Sequence, residues 1–375
     1  MNLTKAHHFD YSLMIIVGIL LIIGILVLSS VSAVFSYEKF GSSNYYFNHQ
    51  MIYGVGLGLL FGLFAYKLPL KFFKKFSWIF LFLNLLFMIL VFIPGLGIVS
   101  GGAPRWMNLS FFTFQPSELL KLSFLIYIAT WLSNRVSKRS RTKDKKKWKN
   151  TFLPFIFILG LISFLLYLQS DASTLALILA IGAILYFVSN TPLWHTFLLI
   201  SIGVGGFFGL VSLVSYRLER IFVMLGLVDD PMGAGYHIKQ ALITIGSGGI
   251  VGLGIGMSSQ KFGGLLPQTM SDSIFAIFAE ETGFLGSLVL ISLFLLFLWR
   301  TFRIAKNSKD KFSQLFSIGI GVWICIQAFI NIGAMVKLLP LTGIPLPFIG
   351  YGGSHIAVEL VGVAILLNIS KQYKK

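Results

Sequence analysis

Residues 11–34 read YSLMIIVGILLIIGILVLSSVSAV, an unbroken stretch without a charged side chain. Coiled as a helix it rises about 36 Å, more than the roughly 30 Å of a bilayer's hydrocarbon layer. Ser30-Val31-Ser32-Ala33 is a passable cleavage context. The apolar core is nevertheless much longer than the roughly 7–15 residues of a secretory signal, so the segment reads as a retained anchor.

Nine more apolar runs follow, which makes ten expected spans: 11–34, 49–66, 76–93, 117–132, 152–168, 172–188, 196–215, 274–299, 312–336 and 350–369. The expected fold is all-α and polytopic, a single transmembrane domain over 1–375. Composition agrees, because 56% of the 375 residues are hydrophobic and only 11% are charged. Soluble domains carry about 25% charged residues, so a soluble enzyme and a disordered chain are both excluded. Neither an internal repeat nor a low-complexity tract stands out. Cys325 is alone, which rules out an intramolecular disulfide, and the six histidines show no zinc-ligand spacing.

The net charge of +17 raises the question of nucleic acid, but the position of the charges answers it. With a cytoplasmic N-terminus, 22 of the 30 basic residues fall in inner segments: Lys5, Lys67, Lys71, Lys74, Lys75, nine within 135–149, Arg300, Arg303, Lys306, Lys309, Lys311, Lys371, Lys374 and Lys375. The positive-inside rule then puts both termini in the cytoplasm and reads 134–151 as a basic cytoplasmic loop, an orientation signal beside membrane lipids with no nucleic acid partner. Ten of the thirteen acids fall on the other side or at span ends. Ionisable groups at membrane depth are costly and mark functional positions, so chemistry is expected to face outward.

The outer segments carry the motifs. The largest, 216–273, is too long to be a plain connection and too apolar to be disordered, so short or re-entrant helices are expected in it. It holds Arg217, Glu219, Arg220, Lys239 and Lys261, and a glycine run at Gly246-Ser247-Gly248-Gly249-Ile250-Val251-Gly252-Leu253-Gly254-Ile255-Gly256. No strand precedes that run, so close packing and amides open to phosphate are expected, not a dinucleotide site. In Gly102-Ala103-Pro104-Arg105-Trp106 and Phe114-Gln115-Pro116-Ser117-Glu118-Leu119-Leu120-Lys121, Pro116 suits a first helical turn. Glu118 and Lys121 can pair there on one face, as a buried ion pair or as substrate ligands. Asp171, in Gln169-Ser170-Asp171, reads as a helix cap or a site carboxylate. Asp272, in Leu266-Pro267-Gln268-Thr269-Met270-Ser271-Asp272, is open to the same two readings, and Glu280 and Glu281 follow within the next span.

In this order, Arg-Trp, Phe-Gln-Pro-Ser-Glu-x-x-Lys, Gln-x-Asp, Tyr-Arg-x-x-Arg, Gly-Ser-Gly-Gly, Gln-Lys, Leu-Pro-x-x-x-Ser-Asp and Glu-Glu-x-Gly-Phe resemble the SEDS family of FtsW, RodA and SpoVE. So does the closing segment 340–354, which ends at Ser354. Within the family, Lys-Leu-Leu-Pro-Leu-Thr-Gly and Ser-x-Gln-Lys-Phe stand nearest FtsW. The resemblance implies an inverting peptidoglycan glycosyltransferase that polymerises lipid II on the outer face of the bacterial cytoplasmic membrane. Asp272 would be its catalytic residue, and a class B penicillin-binding protein transpeptidase its partner. Arg105, Trp106, Glu118, Lys121, Asp171, Arg217, Arg220, Lys239, Lys261, Glu280, Glu281 and Ser354 are the expected substrate-binding set.

The chain departs from the family pattern at Ser170 (Pro), His237 (Gln), Gln268 (Glu), Met270 (His), Ser273 (Phe), Gly350 (Ser) and His355 (Ser). Glycosyl transfer needs a base for the acceptor hydroxyl and positive charge for the departing pyrophosphate. Asp272 suits the first role, and Arg217, Arg220, Lys239, Lys261 or a divalent metal cation suits the second, with no organic cofactor. A groove between spans is expected for the polyprenyl tail. A lipid II flippase is the competing class, and an inactive scaffold a third.

Overall fold

The computed structural model describes residues 8–100, 102–108, 113–139, 147–189, 191, 193–212, 215–228, 230, 233–261 and 266–371. Thirteen α-helices account for most of these residues: α1 (Tyr11–Phe40), α2 (Tyr45–His49), α3 (Leu57–Lys67), α4 (Leu70–Leu90), α5 (Pro116–Arg139), α6 (Lys147–Leu168), α7 (Ala172–Val188), α8 (Leu193–Ser212), α9 (Ser215–Leu225), α10 (Ala234–Ser247), α11 (Ile274–Asn307), α12 (Lys311–Met335) and α13 (Gly353–Ser370). A π-helical stretch, Gln50–Gly56, joins α2 to α3, so that the three form one continuous span. Each expected span falls largely on a helix, residues 213–214 of the seventh lying outside the described residues. The basic loop lies partly outside the described residues, with α5 running on to Arg139 and α6 starting at Lys147.

Among the described residues, seven helices are long and apolar enough to cross a membrane, and α7 and part of α8 are shorter apolar helices. The exposed faces of these helices carry Ile15, Ile22, Phe61, Phe64, Phe82 and Leu295, as a lipid-facing surface requires. The fourth span, α5, is the more polar one. It is the inner pillar of the bundle, with Leu120, Lys121, Phe124, Leu125, Ile128 and Ala129 buried, so protein surrounds it and lipid does not dictate its composition. This is a multi-pass membrane protein.

The 94–115 stretch departs from the all-helical expectation. It folds as a small antiparallel sheet, β1 (Gly97–Ser100), β2 (Ala103–Asn108) and β3 (Thr113–Phe114), in the order β1-β2-β3. A loop at the edge of a membrane has no helix to satisfy its backbone, and pairing with itself is the remaining way to do so.

The two ends of the bundle differ. At one, Asp10 caps α1 through Leu13 N, its carboxylate lies 2.6 Å from Arg300 Nη2, and its amide donates to Ser370 Oγ at 2.9 Å. Asn368 donates to Leu68 O at 2.6 Å there, and Lys74 pairs with Asp310. The start of α1 and the end of α13 therefore share this end. The opposite end gathers α9, α10, the sheet and the segments around Asp272 and 340–352.

The glycine run has a specific partner. α11 breaks at Gly283 (φ 69°, ψ −167°), and the freed groups bond with the segment at 249–254. Leu253 N donates to Glu280 O, Gly254 N to Glu281 O, Phe284 N to Gly249 O and Leu285 N to Ile250 O, all at 2.9–3.1 Å. A Cβ on Gly252 would stand 2.3 Å from Glu281 O, and one on Gly248 2.3 Å from Ala279 O. The close-packing reading holds. The expectation of amides open to phosphate fails at Gly252, Leu253 and Gly254, whose N–H groups donate to Gly248 O and to the broken helix.

Candidate active site

Asp272 lies in the last turn before α11, at the end of a loop bent by Gln268, whose φ is +53°. The cap position falls one residue later, on Ser273, so the reading of Asp272 as a helix cap fails. Ser273 makes no cap bond. Its hydroxyl donates to Pro267 O at 2.7 Å and faces His237 Nε2 at 2.6 Å, which leaves the imidazole nitrogen as donor. Two departures from the family pattern, His237 and Ser273, thus form a single contact.

The Asp272 carboxylate points toward the 340–346 segment, where a Cβ added to Gly343 would stand 3.4 Å from Oδ2. The side chain is half-buried. Burial pushes its carboxyl up to about 6, against a hydrogen bond from Ser271 and the charge of Arg220, which pull it down. Arg220, on α9, is held by a 2.8 Å bond from Nη1 to Leu341 O. Burial lowers the guanidinium's own proton affinity, Asp272 raises it and Arg105 lowers it again. His237 is held down to about 4 by burial and by Arg220, so it is neutral at pH 7.

Arg105, on β2, donates from Nε to Gln169 O and from Nη2 to Ser170 O, both at 2.9 Å. Ser170 has φ +54°, which a proline in its place could not adopt. Three residues on, the Ser173 hydroxyl bonds to Thr342 O. Arg105, Arg220, His237, Asp272 and the 341–343 backbone therefore surround one site. Asp171 caps α7 by accepting from Thr174 N at 3.0 Å, as the structural reading of it had it. Trp106 is half-buried on β2, and Ser354 Oγ accepts from Gln115 N at 3.3 Å. Lys239 is exposed on α10. Arg217 belongs to α9, but its side chain lies outside the described residues.

The other expected ligands form two separate interior centres. In one, Glu118 Oε2 lies 2.6 Å from Lys121 Nζ and 3.0 Å from His355 Nδ1, with His355 Nε2 3.2 Å from Glu359 Oε1. Lys121 also donates to Gln327 Oε1 at 3.1 Å, and Glu359 accepts from Phe348 N at 2.8 Å. In the other, Glu280 accepts from Ser247 at 3.2 Å and from Ser258, while Lys261 lies 3.5 Å from Glu281 and donates to Ser30 at 2.8 Å. All five of Glu118, Lys121, Lys261, Glu280 and Glu281 are at most 5% exposed. The structure thus places these five in the interior, away from Asp272: Glu118 pairs with Lys121, Lys261 with Glu281, and Glu280 with Ser247 and Ser258.

Two site residues escaped the sequence reading. Asn331 donates at 2.8 Å to both Asp272 O and Ile344 O, and Gln327 donates to Pro345 O at 3.1 Å. Their signal was present, as two amides four residues apart in an apolar helix. Among the described residues no three His, Cys, Asp or Glu side chains gather to hold a metal. The charged neighbour of Asp272 is a guanidinium, so the donor set does not fit a cation held by protein groups alone. An apolar cavity of about 590 Å³ runs along α11 from Phe275 to Leu295, between α10 and α12.

A family model described as cell cycle protein, FTSW_RODA_SPOVE, matches residues 11–375. The chain is 35% identical over 368 residues to stage V sporulation protein E of Bacillus subtilis (strain 168), covering 98% of each. It is 32% identical over 375 residues to the probable peptidoglycan glycosyltransferase FtsW of Geobacter sp. (strain M18), covering 99% of each. Among solved structures, a chain from work on structural coordination of polymerization and crosslinking by a peptidoglycan synthase complex is similar at 25% identity, with TM-score 0.74 and 96% and 97% of the two chains covered. The rod shape determining protein RodA of Thermus thermophilus shares the fold at 23% identity, with TM-score 0.70 and 98% of each covered. The chain belongs to the FtsW, RodA and SpoVE family.

Proposed function

We propose that this protein is a peptidoglycan glycosyltransferase that polymerises lipid II, with Asp272 as general base. The observation that carries the reading is a carboxylate left off cap duty, half-buried, raised to about 6 and faced by Arg220. A base poised near neutral pH is mostly ionised at pH 7 yet basic enough to take a proton from a sugar hydroxyl as the new glycosidic bond forms. Arg220 and Arg105 supply positive charge for the leaving pyrophosphate, and any divalent cation would arrive with that pyrophosphate. The cavity along α11 offers an apolar channel for a prenyl tail, so that the sugar meets Asp272 while the lipid remains in the bilayer.

In this reading the Asp272 end faces outward from the cytoplasmic membrane and the shared end of α1 and α13 lies in the cytoplasm, where the basic segments are concentrated. The likeness to a chain of a peptidoglycan synthase complex supports a class B penicillin-binding protein as partner, and the FtsW and SpoVE relatives support a role in division or septum-like wall synthesis. The test is polymerisation of lipid II by the purified protein with its transpeptidase, comparing wild type with Asp272→Asn. Glycan polymer is expected from the first alone, and equal polymer from both overturns the assignment.

A further inference from the structure

We propose that Asn331 is a positioning residue that sets the gap into which the Asp272 carboxylate projects. This rests on Asp272 being the base. Asn331 is 1% exposed, and its Nδ2 group spends one hydrogen on the main-chain carbonyl of Asp272 and the other on that of Ile344, both at 2.8 Å. The orientation of the amide is fixed, because the reverse would set its oxygen against two carbonyl oxygens. Those carbonyls belong to segments that face each other: Asp272 bears the carboxylate, and Gly343, the neighbour of Ile344, lies opposite Oδ2. One rigid, planar group therefore determines their separation.

One helical turn earlier on α12, Gln327 donates to Pro345 O at 3.1 Å. The same helix face thus grips two successive residues of the opposing segment, and residues four apart on a helix do share a face. Asn331 touches neither substrate nor reacting atoms; it acts through Asp272. The titratable and charged groups around that carboxylate are Arg220 on α9, Arg105 on β2 behind it, and His237 on α10 against Ser273. From α12 and the 341–346 segment come only amide, hydroxyl and main-chain groups. Burial is what raises Asp272, so loosening the clamp admits water and lowers its proton affinity.

The test measures kcat, KM and the pH profile for lipid II polymerisation by the full chain with its partner. Asn331→Leu keeps the volume and removes both donors. Its kcat is expected to fall about 10- to 100-fold with KM within about twofold, as misplacement of a catalytic group does. Its acid limb should move to lower pH. Asn368→Leu is the matched control, because Asn368 Nδ2 bridges two carbonyls, Ala65 O at 3.4 Å and Leu68 O at 2.6 Å, at the other end of the bundle. It should lower the melting temperature and leave the limb in place.

Asn331→Asp serves where the leucine variant does not fold. The introduced carboxyl donates only while protonated, so activity should gain a new loss as pH rises. A folded Asn331→Leu protein with an unmoved acid limb, or an Asn331→Asp protein with no new alkaline loss, overturns the proposal. If wild-type polymerisation is indifferent to Asp272→Asn, the proposed function falls and takes this inference with it. An Asp272-dependent wild type with unshifted Asn331 variants sinks the inference alone.

Discussion

Asp171 and Asp272 each precede a helix at the same end of the molecule, and the fold uses them in opposite ways. Asp171 turns its carboxylate back onto Thr174 N and caps α7. Asp272 yields the cap position to Ser273 and directs its carboxylate across a gap toward Gly343. A carboxylate that satisfies its own helix is used up locally. One that is withheld from its helix and partly dehydrated retains its basicity for another molecule.

The largest expected effect tests that difference directly. Asp272→Asn should cut polymerisation about 10³-fold, within the range for losing a general base. It should also raise the melting temperature at pH 7. The sign follows from linkage: a carboxyl raised to about 6 from its usual 3.8 favours the folded state when protonated, and that stabilisation is lost as pH rises through this window. The asparagine cannot ionise, so thermal melts across pH 3–8 should show the dependence vanish with it.

The buried Glu118 centre gives the next largest effect, on stability this time. Glu118→Gln leaves Lys121 in the interior without its carboxylate, and breaking a buried pair costs about 3–5 kcal/mol. Denaturation in detergent should show it. Activity surviving at wild-type melting temperature would mean that the centre does not brace the bundle.

Below pH 6 the wild-type rate should fall about tenfold per pH unit as Asp272 takes up a proton. A rate that stays flat down to pH 4.5 would show that the carboxylate is not dehydrated. The smallest effect belongs to the capping member of the pair: Asp171→Ala should cost about 1 kcal/mol of stability and leave the pH profile unchanged. A shifted profile would bring Asp171 into the chemistry and erase the contrast.

How much of this could be read from the chain depends on what constrains each part. Lipid dictates long apolar runs, so the spans were legible, down to Pro116 at the start of α5 and the Glu118–Lys121 pair one turn on. The sheet at 97–114 was not, because a short self-paired loop has no strong alternation. Contacts such as Lys261 to Ser30, or Asn331 to Asp272, join residues far apart in sequence and carry no local pattern. The ranking within the charged residues was the weakest part. Residue type cannot distinguish Glu280, sealed against Ser247 and Ser258, from Asp272, which is left open.

The meeting of Asp10 with Ser370 and Arg300 has a practical consequence. Since the first and last helices abut, a short peptide bridge between them would close the polypeptide into a ring with little distortion. Such a ring could be re-opened within a connecting loop to give a circularly permuted protein with the same helix neighbours. Reporter domains placed ahead of α1 and after α13 would sit side by side, at the end of the bundle opposite Asp272.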